Sequence, residues 1–161
     1  LMLRAFAEQA ASSTDSILVI SSPKSPSLES PEVIASYFND VVRESLGSKR
    51  LWADMVKDVE QQGWRLRIKS VPFFALALSP CYRKSQPRHH PVDRVLVFQP
   101  EGVFTAFGIT TGLQRAKNTA AAKDSFRKAG QDYFDHHTRG TPKAYRFVLD
   151  HGGEGLPWWE A

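Results

Sequence analysis

The spacing of apolar positions changes period several times along the chain, and each change predicts an element. Residues 1–11 have helical spacing and stop at Ser12-Ser13-Thr14-Asp15, side chains that compete for backbone hydrogen bonds, so a peripheral helix is expected there. Residues 16–20 read as a short β-branched strand, and the serine- and proline-rich residues 21–27 as a loop. The next helix carries its own start signals: Ser30 as N-cap, Pro31 at the first helical position and Glu32 against the helix dipole. Its apolar stripe is Val33, Ile34, Tyr37, Phe38, Val41, Val42 and Leu46, its outer face Ser36, Asn39, Asp40, Arg43 and Glu44, and Gly47 ends it. Residues 51–62 form another helical turn or two, with Leu51, Met55 and Val59 on one side and Gly63 as terminator.

From Trp64 the period becomes two. Trp64, Leu66 and Ile68 alternate with Arg65, Arg67 and Lys69, which predicts a strand with one wet face. Ser70-Val71-Pro72 turns it into Phe73-Phe74-Ala75-Leu76-Ala77-Leu78, a run with no polar position, expected in the middle of a sheet and covered on both faces. Residues 94–98 are a neighbouring strand, bounded by the turn residues Asp93 and Gln99-Pro100. Periodicity does not settle the stretch from Pro100 to Leu113. Residues 118–136 predict a helix burying Ala122, Phe126, Ala129, Tyr133 and Phe134 and weakened near Gly130, and Thr141-Pro142 starts a last short helix to Asp150. The glycine-rich tail carries Trp158-Trp159, an aromatic pair expected to dock on the body. The whole predicts a single α+β domain over residues 1–161, its core in 12–155 with 156–161 docked: a mostly antiparallel sheet of about four or more strands with helices packed on it.

Totals narrow the setting. One cysteine excludes an intrachain disulfide, the first residues do not resemble a secretion signal, and no segment reaches the ~20 apolar residues of a membrane helix, so a cytoplasmic location away from membranes is expected. The net charge of +4 is spread along the chain, which fits a solvated surface better than a nucleic-acid groove. In Trp64-Arg65-Leu66-Arg67 the aromatic and the cations face opposite ways, which also argues against base stacking.

Candidate chemistry concentrates in residues 79–93, the polar loop between the two apolar runs. It holds the only cysteine, Cys81, the adjacent His89 and His90, and the cations Arg83, Lys84 and Arg88. Imidazole and thiolate are the usual donors to a metal or haem iron, and Cys81 follows Pro80 at the end of a buried strand. A lone cysteine beside a core is equally a small hydrophobe. His89 and His90 point opposite ways in an extended loop, so only one of them can face a given pocket. His136-His137 suits helix capping, and His151 precedes Gly152-Gly153 in the same manner. One cysteine cannot supply a zinc spacing, and Walker, dinucleotide and Gly-x-Ser-x-Gly signatures are absent, leaving the catalytic residues unassigned.

The order of these features resembles the YqcI/YcgG family. Residues 17–20, 23–31 and 33–46 and Trp52 resemble its strand, proline-bearing turn, amphipathic helix and tryptophan. Residues 64–68 and 73–78 resemble its next two strands, with Ser79-Pro80 where that family has His-Pro, and with Arg83 and Arg88 among the cations that follow. Leu96-Val97-Phe98-Gln99, Phe104, the helix of residues 126–136 and the ending at residues 147–152 continue the likeness. The resemblance implies a haem-dependent N-hydroxylase: haem b, an oxidant such as dioxygen or peroxide, and a small cationic, amino-acid-like substrate with an amine or guanidino group. With serine at position 79, the iron ligand falls to Cys81, His89 or His90. Arg83 or Arg88 would pair with the propionates, and Asp93 or Glu101 would hold the substrate. The competing expectation is a non-enzymatic small-ligand or protein-binding module that has lost this chemistry, built on the same loop and the Trp158-Trp159 tail, with a homodimer compatible with either.

Overall fold

The computed structural model describes residues 2–10, 16–22, 30–106, 112–131 and 142–161. Helix α1 spans Met2–Ala10, strand β1 Leu18–Ser22, α2 Pro31–Leu46, α3 Lys49–Val56, β2 Leu66–Ile68, β3 Val71–Leu78, β4 Arg94–Pro100, α4 Glu101–Ala106 and α5 Gly112–Lys128. The strands form one antiparallel sheet in the order β1-β4-β3-β2. The fold is the α+β arrangement that the apolar pattern predicts, with the two apolar runs as its central strands.

Local signals set α2. The Ser30 hydroxyl accepts from the Val33 N–H at 3.4 Å, Pro31 sits at the first position, and Gly47 ends the helix at φ 75°, a left-handed conformation that glycine adopts without the Cβ penalty. Two residues depart from the predicted stripe, and the first, Val33, expected inside, is 39% exposed. Asn39, expected outside, is 1% exposed, because its amide donates to the Trp158 carbonyl at 2.9 Å and so satisfies two buried polar groups at once.

One face of the sheet carries the core. Register sets Leu66 beside Phe73, Ala75 beside Phe98 and Ala77 beside Leu96, all fully buried. Small residues at 75 and 77 leave room over the sheet for Phe38 of α2, whose ring stacks on Phe98 at 5.6 Å, while Phe6 of α1 meets Phe73 at 6.0 Å. Leu3 and Ala7 of α1 and Trp158 lie in the same cluster, so the core extends to both flanks of the predicted residues 12–155, and α1 is not peripheral. On the other face Phe74, Leu76 and Leu78 are half-buried, Val19 is exposed, and Phe104 of α4 packs edge-on against Phe74 at 5.8 Å. The run expected to be covered on both faces is therefore fully covered on one.

Three further elements differ from expectation. β1 starts two residues later, α5 starts earlier and ends before Gly130 at φ 69°, and Ala122 and Phe126 are half-buried with Ala129 exposed. A helix so polar on every side has no stripe to bury. The last short helix is a single 3₁₀ turn at Lys143–Arg146, after which Phe147, Val148 and Leu149 run buried beside β3. β2 pairs with β3 only at Val71–Phe73, and further along the Ala77 N–H donates to the Phe147 carbonyl at 2.9 Å. Closing that open edge draws the chain out of a helix. The readings at Ser12-Ser13-Thr14-Asp15, at residues 23–27, and at Tyr133, Phe134, His136, His137 and Thr141 lie outside the described residues. Among those described, no helix is long and apolar enough to cross a membrane.

Candidate functional site

Residues 79–93 fold into a knot tied to the end of β3. Ser79 is fully buried and forms a one-residue parallel bridge with His89: its N–H donates to the Arg88 carbonyl at 3.0 Å, and its carbonyl accepts from the His90 N–H at 3.2 Å. The Ser79 hydroxyl accepts from the Cys81 N–H at 3.1 Å, so the serine standing where the family resemblance has histidine serves as a backbone clamp. Cys81 itself packs, half-buried, against the core cluster and is in no disulfide.

The two histidines take different partners. His89 Nδ1 lies 2.9 Å from the Tyr82 carbonyl, which can only accept, so Nδ1 carries the proton and Nε2 keeps its lone pair. His90 Nδ1 lies 3.0 Å from the Asp93 N–H and 3.1 Å from the Asp93 carbonyl, so it can accept from the one or donate to the other and its contacts fit either tautomer. His89 is half-buried, and its Nε2 has no hydrogen-bond partner among the described residues. Its tautomer suits coordination through Nε2, with the other nitrogen oriented by a carbonyl alone, whereas His90 Nδ1 faces both the N–H and the carbonyl of Asp93. Among the described residues there is no group of three or more His, Cys, Asp and Glu side chains that could hold a metal ion, so a metal bound here by described side chains of these types would have at most two such donors.

The arginines separate as well. Arg83 is exposed. Arg88 donates to the carbonyls of Ala77 at 3.3 Å, Phe147 at 3.4 Å and Arg146 at 2.6 Å, stitching the loop to β3 and to the segment that closes its edge. Asp93 accepts from the Ser21 hydroxyl at 3.2 Å and stays with the loop. Glu101 lies at the far end of β4, about 20 Å away along a seven-residue strand. Its carboxylate bridges Arg65 and Lys143. Burial first, then the guanidinium groups of Arg65 and Arg146, pull Lys143 down to about 8. Asp93 and Glu101 therefore do not share one mouth of the sheet, and Glu101 balances cations of its own.

Tyr82 anchors the knot from below. It is 2% exposed, its hydroxyl donates to the Leu149 carbonyl at 2.9 Å and accepts the Leu149 N–H at 3.3 Å, and burial holds its phenol well above the ordinary tyrosine range. The folded state thus keeps a proton that the unfolded chain releases above about pH 10. Stability is expected to be fully present below that pH and to fall as pH rises through it, by up to about 1.4 kcal/mol per pH unit for this one group. Urea midpoints measured across the alkaline range check this. Tyr82→Phe should flatten the slope while lowering the plateau by about 1–2 kcal/mol through the orphaned Leu149 groups; an unchanged slope would show that Tyr82 is not the linked group.

A cavity of about 860 Å³ lies elsewhere, between α1, the α2–α3 junction and β2, and none of its lining residues comes from the loop. Arg4, Leu51, Met55, Trp64 and Arg67 are among its walls. Sequence reading missed it because Arg4 and Arg67 each look like ordinary solvent-facing cations on their own elements. Only the packing of α1 beside β2 brings them to one space, and no local pattern signals that.

The sequence matches the YqcI/YcgG family over residues 3–137. No curated protein and no solved structure matches it.

Proposed function

The chain belongs to the YqcI/YcgG family, and from that premise we propose that it is a cytoplasmic haem b protein with His89 as axial ligand, serving N-hydroxylation of a small amine or guanidino compound. The observation that carries the reading is the His89 tautomer. An imidazole whose Nδ1–H is held by a carbonyl, and whose Nε2 is open on a half-buried ring, is the donor arrangement that haem and metal sites use. His90 has both the N–H and the carbonyl of Asp93 against its Nδ1, so no single contact orients its ring for coordination as the Tyr82 carbonyl orients His89.

When bound, haem supplies activation of dioxygen or peroxide. The chain's own groups do the rest. The Tyr82 carbonyl orients the His89 ring, and Arg83, exposed on the same loop, is the guanidinium available to a propionate. Asp93, with one carboxylate oxygen bound by Ser21, is the anion on the loop that would hold a cationic nitrogen. Asp93 is preferred to Glu101 in that role because the Glu101 carboxylate is engaged by Arg65 and Lys143.

Titration with hemin tests the assignment. The parent protein is expected to give a saturable Soret band that His89→Ala loses and that His90→Ala and Cys81→Ala keep, with added imidazole restoring the band in His89→Gly. No band in the parent, or a band lost in His90→Ala or Cys81→Ala but kept in His89→Ala, would overturn it.

A further inference from the structure

We propose that the cavity between α1, α3 and β2 is a binding site for a small aromatic carboxylate, separate from His89. Its volume, about 860 Å³, is in the range of pockets that enclose drug-sized ligands. The charged groups around it are not equivalent. Arg65 is paired with Glu101, Lys69 with Glu8 at 3.2 Å, and Asp54 with Arg50 at 3.9 Å, while Asp58 accepts from the Gln61 amide at 2.7 Å. Among the described residues, two guanidinium groups have no carboxylate partner: Arg67, which donates to the Ser70 carbonyl at 3.2 Å, and Arg4. Arg4 is brought in by the turn after α2, where its Nη1 would lie 3.1 Å from a Cβ at position 47, so Gly47 serves the left-handed turn and this close approach together.

Part of the remaining wall is apolar, beside Ser45, Ser48, Asp54 and Asp58. Leu51 is 51% exposed at the rim, and Met55 and Trp64 line the interior, with the indole N–H committed to the Met55 carbonyl at 2.8 Å. A polyanion has little to gain where the surrounding cations are already neutralised. A compact ligand with one planar apolar body and one carboxylate matches two guanidinium forks and an aliphatic and aromatic wall.

Fluorescence titration with anilinonaphthalene sulfonate, followed by competition with naphthoate, tests this on the whole chain. Naphthoate is expected to displace the dye. Arg4→Gln and Arg67→Gln are each expected to weaken naphthoate about tenfold, about 1.4 kcal/mol, with circular dichroism unchanged. The neutral naphthalene methanol should bind all three proteins alike, and Leu51→Glu, which sets a carboxylate at the rim, should also weaken naphthoate. Dye binding that naphthoate does not displace, or naphthoate affinity unchanged in both arginine variants, would mean that the probe sits on the open face of the sheet and would overturn the proposal. Hemin titration of Arg67→Gln keeps the two sites distinguishable: its Soret band is expected to match the parent's whatever happens to naphthoate.

Discussion

Trp158→Ala is expected to lower the unfolding free energy by about 3–5 kcal/mol, a large part of the 5–15 kcal/mol that holds an ordinary domain together. The side chain is fully buried and meets Phe38 at 4.7 Å edge-on, Trp52 at 6.2 Å and Phe147 at 6.2 Å, joining α2, α3 and the segment that closes β3. It is also a polar joint. Its indole N–H donates to the Ala144 carbonyl at 3.0 Å, and its own carbonyl accepts the Asn39 amide. Alanine removes the ring volume, which the surrounding rings cannot fill, and leaves the Ala144 carbonyl without its donor. Trp158→Phe separates the two effects: most of the volume stays, so the loss should shrink to about 1–2 kcal/mol. Urea denaturation followed by circular dichroism gives both numbers. Equal losses for the two variants would place the whole effect in the indole N–H; a loss below about 1 kcal/mol for alanine would mean that the ending of the chain is not part of the cooperative core.

How far the sequence carries depends on whether an element answers to local chemistry. Helix α2 does: Ser30, Pro31 and Gly47 act on their own neighbours, and their signals survive into the fold unchanged. The alternation of Leu66, Arg67 and Ile68 does too, since period two fixes which side chains a sheet can bury. Asn39 does not. Its polarity reads as solvent-facing, and only the arrival of Trp158 from more than a hundred residues away makes it a core group. Residues 141–150 fail for the same reason, because the start signal at Thr141-Pro142 competes with an open sheet edge that sequence does not display. In the site, composition finds the loop, and adjacency separates His89 from His90 in principle. That His89 has its Nδ1 held by a carbonyl depends on Tyr82 folding back, a tertiary fact. The cavity is the extreme case, since Arg4 and Arg67, which have no carboxylate partner among the described residues, lie on α1 and β2 and line one space only after packing.

Arg88→Met should lower stability by about 3–5 kcal/mol, and the pattern of its effects decides between two uses of the same guanidinium. As a propionate partner, Arg88 would matter to haem affinity and little to the apoprotein. As the structure has it, three backbone carbonyls, of Ala77, Arg146 and Phe147, accept from this one side chain, the Phe147 carbonyl sharing it with the Ala77 N–H. A hydrogen bond to a charged donor contributes about 1.5–3 kcal/mol, and the weaker geometry of the two contacts beyond 3.2 Å brings the sum toward the lower end. Methionine matches the length of the aliphatic stem but donates to none of them. Lysine should recover only part of the loss, because one ammonium lacks the planar fork that reaches separate carbonyls. The expected result is therefore a lowered urea midpoint in Arg88→Met, partial recovery in Arg88→Lys, and a normal Soret band in both when hemin is added under conditions where they are folded. The opposite pattern, unchanged stability with a weakened Soret band, would return Arg88 to the propionates and would require the loop to open away from β3 before haem could enter.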